Sequence, residues 1–323
     1  MKPIVLITGE AHPILTAGLS HLGYEVLDRP TITRTELLET VPEVTALILT
    51  SRHQIDSVVF EKAAKLKWIG RLGSGLDVVD RRIAAEKNVS VFSSPEGNRQ
   101  AVAEHTVGLL LNLIRNQSKS DREVRRGSWN RNENRGYELG GLTAALIGYG
   151  NTGEATARLL TSLGMSVLAF DKYRSGFGGE WATESDMQQI RAQADVVSLH
   201  LPLTEETKAL VDDRWIESFA KPIWLINTSR GSITPLAPLI HQLEQGRLRG
   251  LALDVLPKEP LTYYTDFEKR ELDKLCSFDQ VILTPHVAGY SWESPERMAR
   301  VLLEKLIDAS SQGRAREGAQ AED

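Results

Sequence analysis

Short apolar runs, each closed by glycine, proline or charged residues, recur through the first part of the chain. They alternate with segments whose apolar residues return every third or fourth position. The runs at 4–8, 24–27, 46–50, 68–72 and 90–93 predict strands, and the stretches 11–22, 35–40, 57–65 and 79–87 predict helices. Strand and helix alternating at this spacing imply a parallel sheet covered on both faces. The segment Ser94-Pro95-Glu96-Gly97-Asn98 reads as a turn. One long helix is expected to follow, from Arg99 to about Arg126, burying Val102, Thr106, Leu109, Leu110 and Leu113. The basic, asparagine-rich stretch from Arg125 to Arg135 predicts an exposed loop with Trp129 anchored in it.

A second series of apolar runs lies at 142–147, 166–170, 195–199, 223–227, 251–255 and 281–283. Six strands is the count of a full doubly wound dinucleotide-binding sheet. An amphipathic helix at 295–307 and a polar, frayed tail at 311–323 complete the pattern. The expected fold class is α/β, with two doubly wound parallel-sheet domains.

Composition narrows the classes. A chain of 323 residues is long for one core and comfortable for two. With 41% hydrophobic and 25% charged residues it is neither fibrous nor disordered. A net charge of -5 argues against nucleic-acid binding driven by phosphate neutralisation. The lone Cys276 cannot form an internal disulfide, which suits a reducing compartment. No apolar run approaches the ~18 residues of a membrane span, and the N-terminal run is too short for a secretion signal. A cytoplasmic protein without a membrane partner is therefore expected. No His, Cys and carboxylate cluster has metal-ligand spacing, so no metal is expected.

Gly148-x-Gly150-x-x-Gly153 directly follows the strand at 142–147 and opens a helix. The first glycine permits a tight turn, the second lets backbone approach a pyrophosphate, and the third allows close helix–strand packing. Tyr149, Asn151 and Thr152 fill the intervening positions, and the first-turn N–H groups face the phosphates. Asp171 follows the next strand, where an acid accepts hydrogen bonds from the adenosine ribose and repels a 2′-phosphate. NAD is thus the expected cofactor, with Lys172 and Arg174 leaving a small opening for NADP.

Three further motifs sit at strand ends of the second series. They are Asn227-Thr228-Ser229-Arg230-Gly231, the segment from Asp254 to Glu259-Pro260, and Thr284-Pro285-His286 running to Gly289. Singly, each has an ordinary structural reading as a surface turn, a loop end or a packed histidine. Together they supply a guanidinium for a carboxylate, a base for a hydroxyl proton, and an acid to tune the base.

With the glycine turn and Asp171, these motifs resemble the D-isomer-specific 2-hydroxyacid dehydrogenase family. Also similar are Gly73-Ser74-Gly75-Leu76-Asp77, the family's substrate-carboxylate loop, and Ala103-Glu104-His105 at the start of the interdomain helix. The resemblance spans about residues 45 to 300. It implies a flavodoxin-like substrate domain, 1–98 and 290–323, with a Rossmann-type NAD domain, 99–289, inserted in it. A cleft site and a homodimer through the nucleotide domains are also implied. By family role, His286 is the acid/base, Glu259 orients and charges it, and Arg230 binds the substrate carboxylate, helped by Ser74 and Gly75. Asp254, Thr228 and Arg230 are expected at the nicotinamide end, with Gly289 nearby. His200 lies in a family cofactor loop or serves the fold alone.

Arg52, Arg71 and Arg131 fall where some phosphoglycerate dehydrogenases place phosphate-binding arginines, Arg131 reaching across a dimer. The resemblance is most like a 3-phosphoglycerate dehydrogenase without a C-terminal regulatory domain, with a glyoxylate/hydroxypyruvate reductase as the alternative. The segment from Glu259 to His286 carries Tyr263-Tyr264 and could reshape the cleft mouth. From a different class, some relatives are NAD-responsive co-repressors that bind protein partners. Binding of a peptide that depends on NADH, without turnover, would favour that reading. Phosphite or formate oxidation is disfavoured by Glu259, because formate enzymes are expected to carry Gln there.

Overall fold

A computed structural model describes residues 2–320, with side chains to residue 309. It divides into two compact units, one of residues to 98 and from 291 onward, the other of residues 99–290.

The first unit holds strands β1 (Ile4–Ile7), β2 (Glu25–Asp28), β3 (Ala46–Leu49), β4 (Trp68–Arg71) and β5 (Ser90–Ser93), all parallel in the order β2-β1-β3-β4-β5. This is the flavodoxin-like winding. Helices α1 (Pro13–His21), α2 (Arg34–Thr40), α3 (Ser57–Lys62) and α4 (Arg81–Glu86) connect them. Thr33 with Glu36 closes a capping box on α2, and Asp56 and Asp80 cap α3 and α4. Val5, Ile7, Leu15 and Leu19 form one buried face with Ala299, Leu302 and Leu306 of the C-terminal helix, which thereby belongs to this unit. Gly70 is what admits that helix, since a Cβ there would press on the Leu302 side chain.

Pro95 opens α5 (Pro95–Ile114), so residues 95–98, expected as a turn, are helical. Proline is suited to a first helical turn, where its missing N–H goes unused. The expected single helix to Arg126 is instead two, α5 and α6 (Gln117–Arg125). Asn116 at φ 54 breaks it, asparagine being one of the few residues that tolerate the left-handed region. The expected buried face of α5 is buried, whereas α6 buries nothing. Trp129 is not anchored: it is 76% exposed in the segment beyond α6.

The second unit is a seven-stranded parallel sheet. Its strands are β6 (Thr143–Ile147), β7 (Ser166–Phe170), β8 (Thr183–Glu184), β9 (Val196–Leu199), β10 (Ile223–Asn227), β11 (Leu248–Leu253) and β12 (Val281–Leu283). Their order is β12-β11-β10-β9-β6-β7-β8, a doubly wound sheet whose direction of winding switches between β6 and β9. Sequence predicts six strands; the seventh, β8, is a two-residue exposed edge with no periodicity to betray it. Helices α7 (Asn151–Ser162), α8 (Met187–Gln193), α9 (Asp213–Glu217), α10 (Leu236–Glu244) and α11 (Asp266–Cys276) cover the faces. The segment bearing Tyr263-Tyr264 folds as a short 3₁₀ turn leading to α11, leaving Tyr263 exposed and Tyr264 buried.

The last helix, α12 (Ser294–Gln320), runs well past the expected end at 307. Of the tail expected to fray, 311–320 has helical backbone and 321–323 lies outside the described residues. Among the described residues no helix is long and apolar enough to cross a membrane, and no His, Cys, Asp and Glu group could hold a metal.

Candidate active site

The nucleotide turn sits at the switch point of the second unit's sheet. Gly148 has φ +96 and abuts the His200 carbonyl so closely that a Cβ would overlap it. A Cβ on Gly153 would overlap the Gly148 carbonyl, which is why helix α7 can pack this near to β6. At Gly150, the N-cap of α7, a Cβ would meet nothing within 4 Å. Open space therefore lies over a helix N-terminus whose first N–H groups, those of Asn151, Thr152 and Gly153, have no partner within the helix. A dinucleotide pyrophosphate fits those features.

Asp171 lies at the end of β7, and its carboxylate accepts from the N–H groups of Tyr149 (2.9 Å), Tyr173 (2.9 Å) and Arg174 (3.1 Å). Those bonds fix the acid while leaving lone pairs for ribose hydroxyls. Both cations that could welcome a 2′-phosphate are engaged. Lys172 pairs with Glu206 at 2.6 Å, and Arg174 donates to the Tyr149 carbonyl. Tyr149 is buried and stacks on Phe177. His200 follows β9, with Nε2 3.0 Å from Ser198 Oγ. Burial pushes its pKa down to about 4, so it is neutral at pH 7 and offers phosphates no charge.

Arg230, Asp254, Glu259 and His286 leave three adjacent strands, β10, β11 and β12, whose ends are in register at Asn227, Leu253 and Leu283. Adjacent strands lie about 4.8 Å apart, so loops far apart in sequence emerge side by side. Asn227 shapes the first loop from beneath. Its amide donates to the Arg230 carbonyl and Thr234 Oγ1, and its oxygen accepts from Ser229 N–H and hydroxyl. The Arg230 guanidinium donates to the Ser229 carbonyl at 2.7 Å.

The structure brings Glu259 and His286 together, with Oε2 2.7 Å from Nδ1. The other glutamate oxygen accepts from Leu256 N–H at 2.8 Å, so the carboxylate is held at both ends. The His286 side chain is half-exposed, at 50%. Its hydrogen bond to Glu259 raises its pKa above the ordinary value against desolvation; Asp254 adds to the rise and the Arg230 charge opposes it. Burial works to raise the Glu259 pKa, but the bonds from His286 and Leu256 outweigh it and hold the acid low. The site thus presents a guanidinium and an imidazole that is easier to protonate than a free one, at the ends of the two strands that flank β11.

Asp254, expected at a nicotinamide carboxamide, has its side chain wholly buried, with 0% exposed. The carboxylate accepts from Thr284 Oγ1 (2.6 Å), Val287 N–H (2.9 Å) and Ala288 N–H (2.8 Å). Burial works to raise its pKa, but these donors and His105 keep it below the usual carboxylate range. Its main-chain carbonyl accepts the His286 N–H at 2.7 Å, and His286 sits at φ 56. Asp254 therefore clamps the His286 loop with both side chain and backbone, and Gly289 lies just beyond that clamp. Thr228, on the first loop, meets Thr106 of α5 at 3.0 Å. Sequence reasoning places Asp254 at the site but misses the clamp, because backbone donors leave no mark in a side-chain pattern.

In the first unit, Arg71 ends β4, paired with Leu49 at the end of β3, and Arg52 lies three residues beyond β3. Arg52 donates to the Pro30 carbonyl and Arg71 to the Leu72 carbonyl. Gly73 begins the loop carrying Ser74 and Gly75; its N–H donates to Ser94 Oγ, which in turn donates to the Arg71 carbonyl. Ser74 Oγ bonds to Asn98 at 3.0 Å. Arg131 is exposed in the second unit.

Residues 107–288 match the family model described as D-isomer specific 2-hydroxyacid dehydrogenase, NAD binding domain. The chain is 31% identical over 303 residues to the D-3-phosphoglycerate dehydrogenase of Archaeoglobus fulgidus, covering 92% of this chain and 56% of that protein. It is 34% identical over 286 residues to the glyoxylate reductase of Thermofilum pendens, covering 85% and 80%. In fold it resembles a glyoxylate reductase from Paecilomyes thermophila, with TM-score 0.84 at 22% identity over 97% of this chain and 96% of that one. The chain spans little more than half the length of the archaeal phosphoglycerate dehydrogenases it matches. The extent of the family-model match and the identity over most of the Thermofilum reductase carry one conclusion: the chain belongs to the D-isomer-specific 2-hydroxyacid dehydrogenase family, and its second unit is that family's NAD-binding domain.

Proposed function

We propose that this chain is an NAD-dependent dehydrogenase that interconverts a D-2-hydroxy acid and its 2-oxoacid. The observation that carries the reading is the His286–Glu259 pair, 2.7 Å apart, with the imidazole half-exposed and its pKa raised. The nicotinamide, when bound, supplies or accepts the hydride at C2. In the direction of reduction His286, whose charged form Glu259 stabilises, donates a proton from Nε2 to the C2 oxygen; in oxidation it takes the proton back. Glu259 on Nδ1 fixes which nitrogen is left for that exchange. Arg230 holds the substrate carboxylate, and Ser74 and Gly75 offer it backbone N–H groups. Gly148 to Gly153 hold the pyrophosphate, Asp171 the adenosine ribose, and Thr228, Asp254 and Gly289 shape the nicotinamide end, Asp254 from beneath. His200 supports the glycine turn.

The substrate pair we assign is D-3-phosphoglycerate and 3-phosphohydroxypyruvate, with a place in serine biosynthesis. Its support is the similarity to phosphoglycerate dehydrogenases and the three arginines at 52, 71 and 131, which suit a phosphate dianion. One observation favours glyoxylate or hydroxypyruvate instead: Arg52 and Arg71 each spend a donor on a main-chain carbonyl. We further propose a cytoplasmic homodimer formed through the second unit, with Arg131 serving the partner's site; exposed Trp129 supports that interface.

The test is NADH oxidation with 3-phosphohydroxypyruvate, hydroxypyruvate, glyoxylate and pyruvate in parallel. Preference for the phosphorylated acid, lost selectively in Arg131→Ala, supports the assigned pair. Preference for small acids keeps the reaction and removes the arginines from it. No turnover with any of the four refutes these substrates and favours an unusual 2-hydroxy acid or the co-repressor.

A further inference from the structure

We propose that His105 is a positioning residue for His286, acting through Thr284 and Asp254; the inference rests on the dehydrogenase reading above. His105 lies on α5, 179 positions before Thr284, yet its Nε2 is 3.0 Å from Thr284 Oγ1 and 3.4 Å from Asp254 Oδ1. The direction of these bonds follows from the donors available. An ionised carboxylate only accepts, so Thr284 donates its single hydroxyl proton to Asp254 at 2.6 Å. The lone pairs of Thr284 then face His105, whose Nε2 must carry a hydrogen.

The chain of donors therefore runs from His105 Nε2–H to Thr284 and on to the buried acid. The same acid takes the N–H groups of Val287 and Ala288, on the far side of His286. Its carbonyl takes the N–H of His286 itself. A histidine at positive φ persists only where its surroundings over-determine it. Here Asp254 does so, and His105 fixes the neighbour on which Asp254 leans. The next residue of the helix repeats the device on the other loop. Thr106 gives its hydroxyl proton to the Val102 carbonyl, so it accepts from Thr228, two residues before Arg230. Helix α5 thus steadies the loops of both the imidazole and the guanidinium, and His105 is its contact with the first.

Misplacing a reacting group by an ångström costs about a hundredfold, so a partial loosening is expected to cost about tenfold in kcat. We would compare His105→Ala and His105→Gln, the glutamine amide standing where Nε2–H stood, with His286→Ala as the reference for lost chemistry. His105→Ala should lose about tenfold in kcat with little change in KM for NADH, and His105→Gln should recover most of it. A second readout needs neither nucleotide nor substrate: NMR titration of the His286 imidazole. The charged groups facing that ring are Glu259, Asp254 and Arg230. If His105 holds the loop, His105→Ala loosens the Glu259 contact and the His286 pKa falls toward its ordinary value, while His105→Gln retains it. Unchanged kcat and titration, or equal loss in both variants, would overturn the proposal. Wild-type protein without turnover of any 2-oxoacid would refute the dehydrogenase reading separately, while the titration still judges the positioning.

Discussion

Two histidines leave the same sheet of the second unit and meet opposite fates. His286, beyond β12, is half-exposed, carries a carboxylate on Nδ1 and is easier to protonate than a free imidazole. His200, beyond β9, has a serine hydroxyl for its neighbour and no carboxylate, and burial pushes it down to about 4. Both follow an apolar strand, so strand position alone does not separate them. The partner does: a carboxylate on the ring stabilises the charged form, and burial without one disfavours it. The two rings are thereby driven in opposite directions, His286 toward the charged form and His200 toward the neutral one.

The largest expected effect breaks the comparison outright. His286→Ala should lower turnover of the preferred 2-oxoacid by about a hundredfold or more, the scale of a general acid/base, and leave NADH affinity nearly unchanged. Nucleotide affinity measured by fluorescence titration beside kcat separates the two; turnover that survives would remove His286 from the chemistry. The next effect acts through the neighbour. Glu259→Gln removes the charge that stabilises the imidazolium, so the His286 pKa falls and the alkaline limb of 2-oxoacid reduction moves to lower pH. A charge-assisted hydrogen bond contributes about 1.5–3 kcal/mol, so kcat at neutral pH should drop about tenfold. A pH–rate profile that keeps its limb in place would show that another group carries the titration.

What the sequence reveals follows the same division between strands and neighbours. Buried parallel strands are continuous apolar runs, and β7 and β10 lie where those runs predict them. The glycine turn is equally readable, because close backbone approach, of the Gly148 carbonyl to Gly153 and of the His200 carbonyl to Gly148, leaves glycines at a recognisable spacing. The break at Asn116 is hidden because the flanking residues keep a helical pattern on both sides. Trp129 misleads because a large aromatic residue is usually buried, and nothing local shows that this one is not. In the candidate site, Arg230, Glu259 and His286 are visible as ionisable residues at strand ends. The clamp around Asp254 is not visible, since two of its donors are backbone N–H groups and its approach to His105 comes from a helix far away in sequence.

The smallest expected effect is one of stability, and it carries the opposite sign for the two histidines. A group whose folded pKa is raised, as for His286, adds stability that is full below its unfolded pKa and is lost as pH rises through the folded one. His200 is depressed from 6.5 to about 4. The unfolded chain therefore binds its proton first, and the stability it contributes above pH 6.5 drains away as pH falls toward 4. Between pH 7 and pH 5 that amounts to about 2 kcal/mol, taking about 1.4 kcal/mol for each pH unit in the window. His200→Gln removes the titration while keeping a donor for Ser198, so urea midpoints at pH 7 and pH 5 should lie closer together in the variant than in the wild type. The NADH affinity of the variant should change by no more than a few-fold, because a neutral ring beneath the glycine turn gives the phosphates no charge to lose. Equal acid sensitivity in the two proteins would mean that His200 is protonated in the folded state well above pH 4, and the contrast with His286 would then rest on geometry alone.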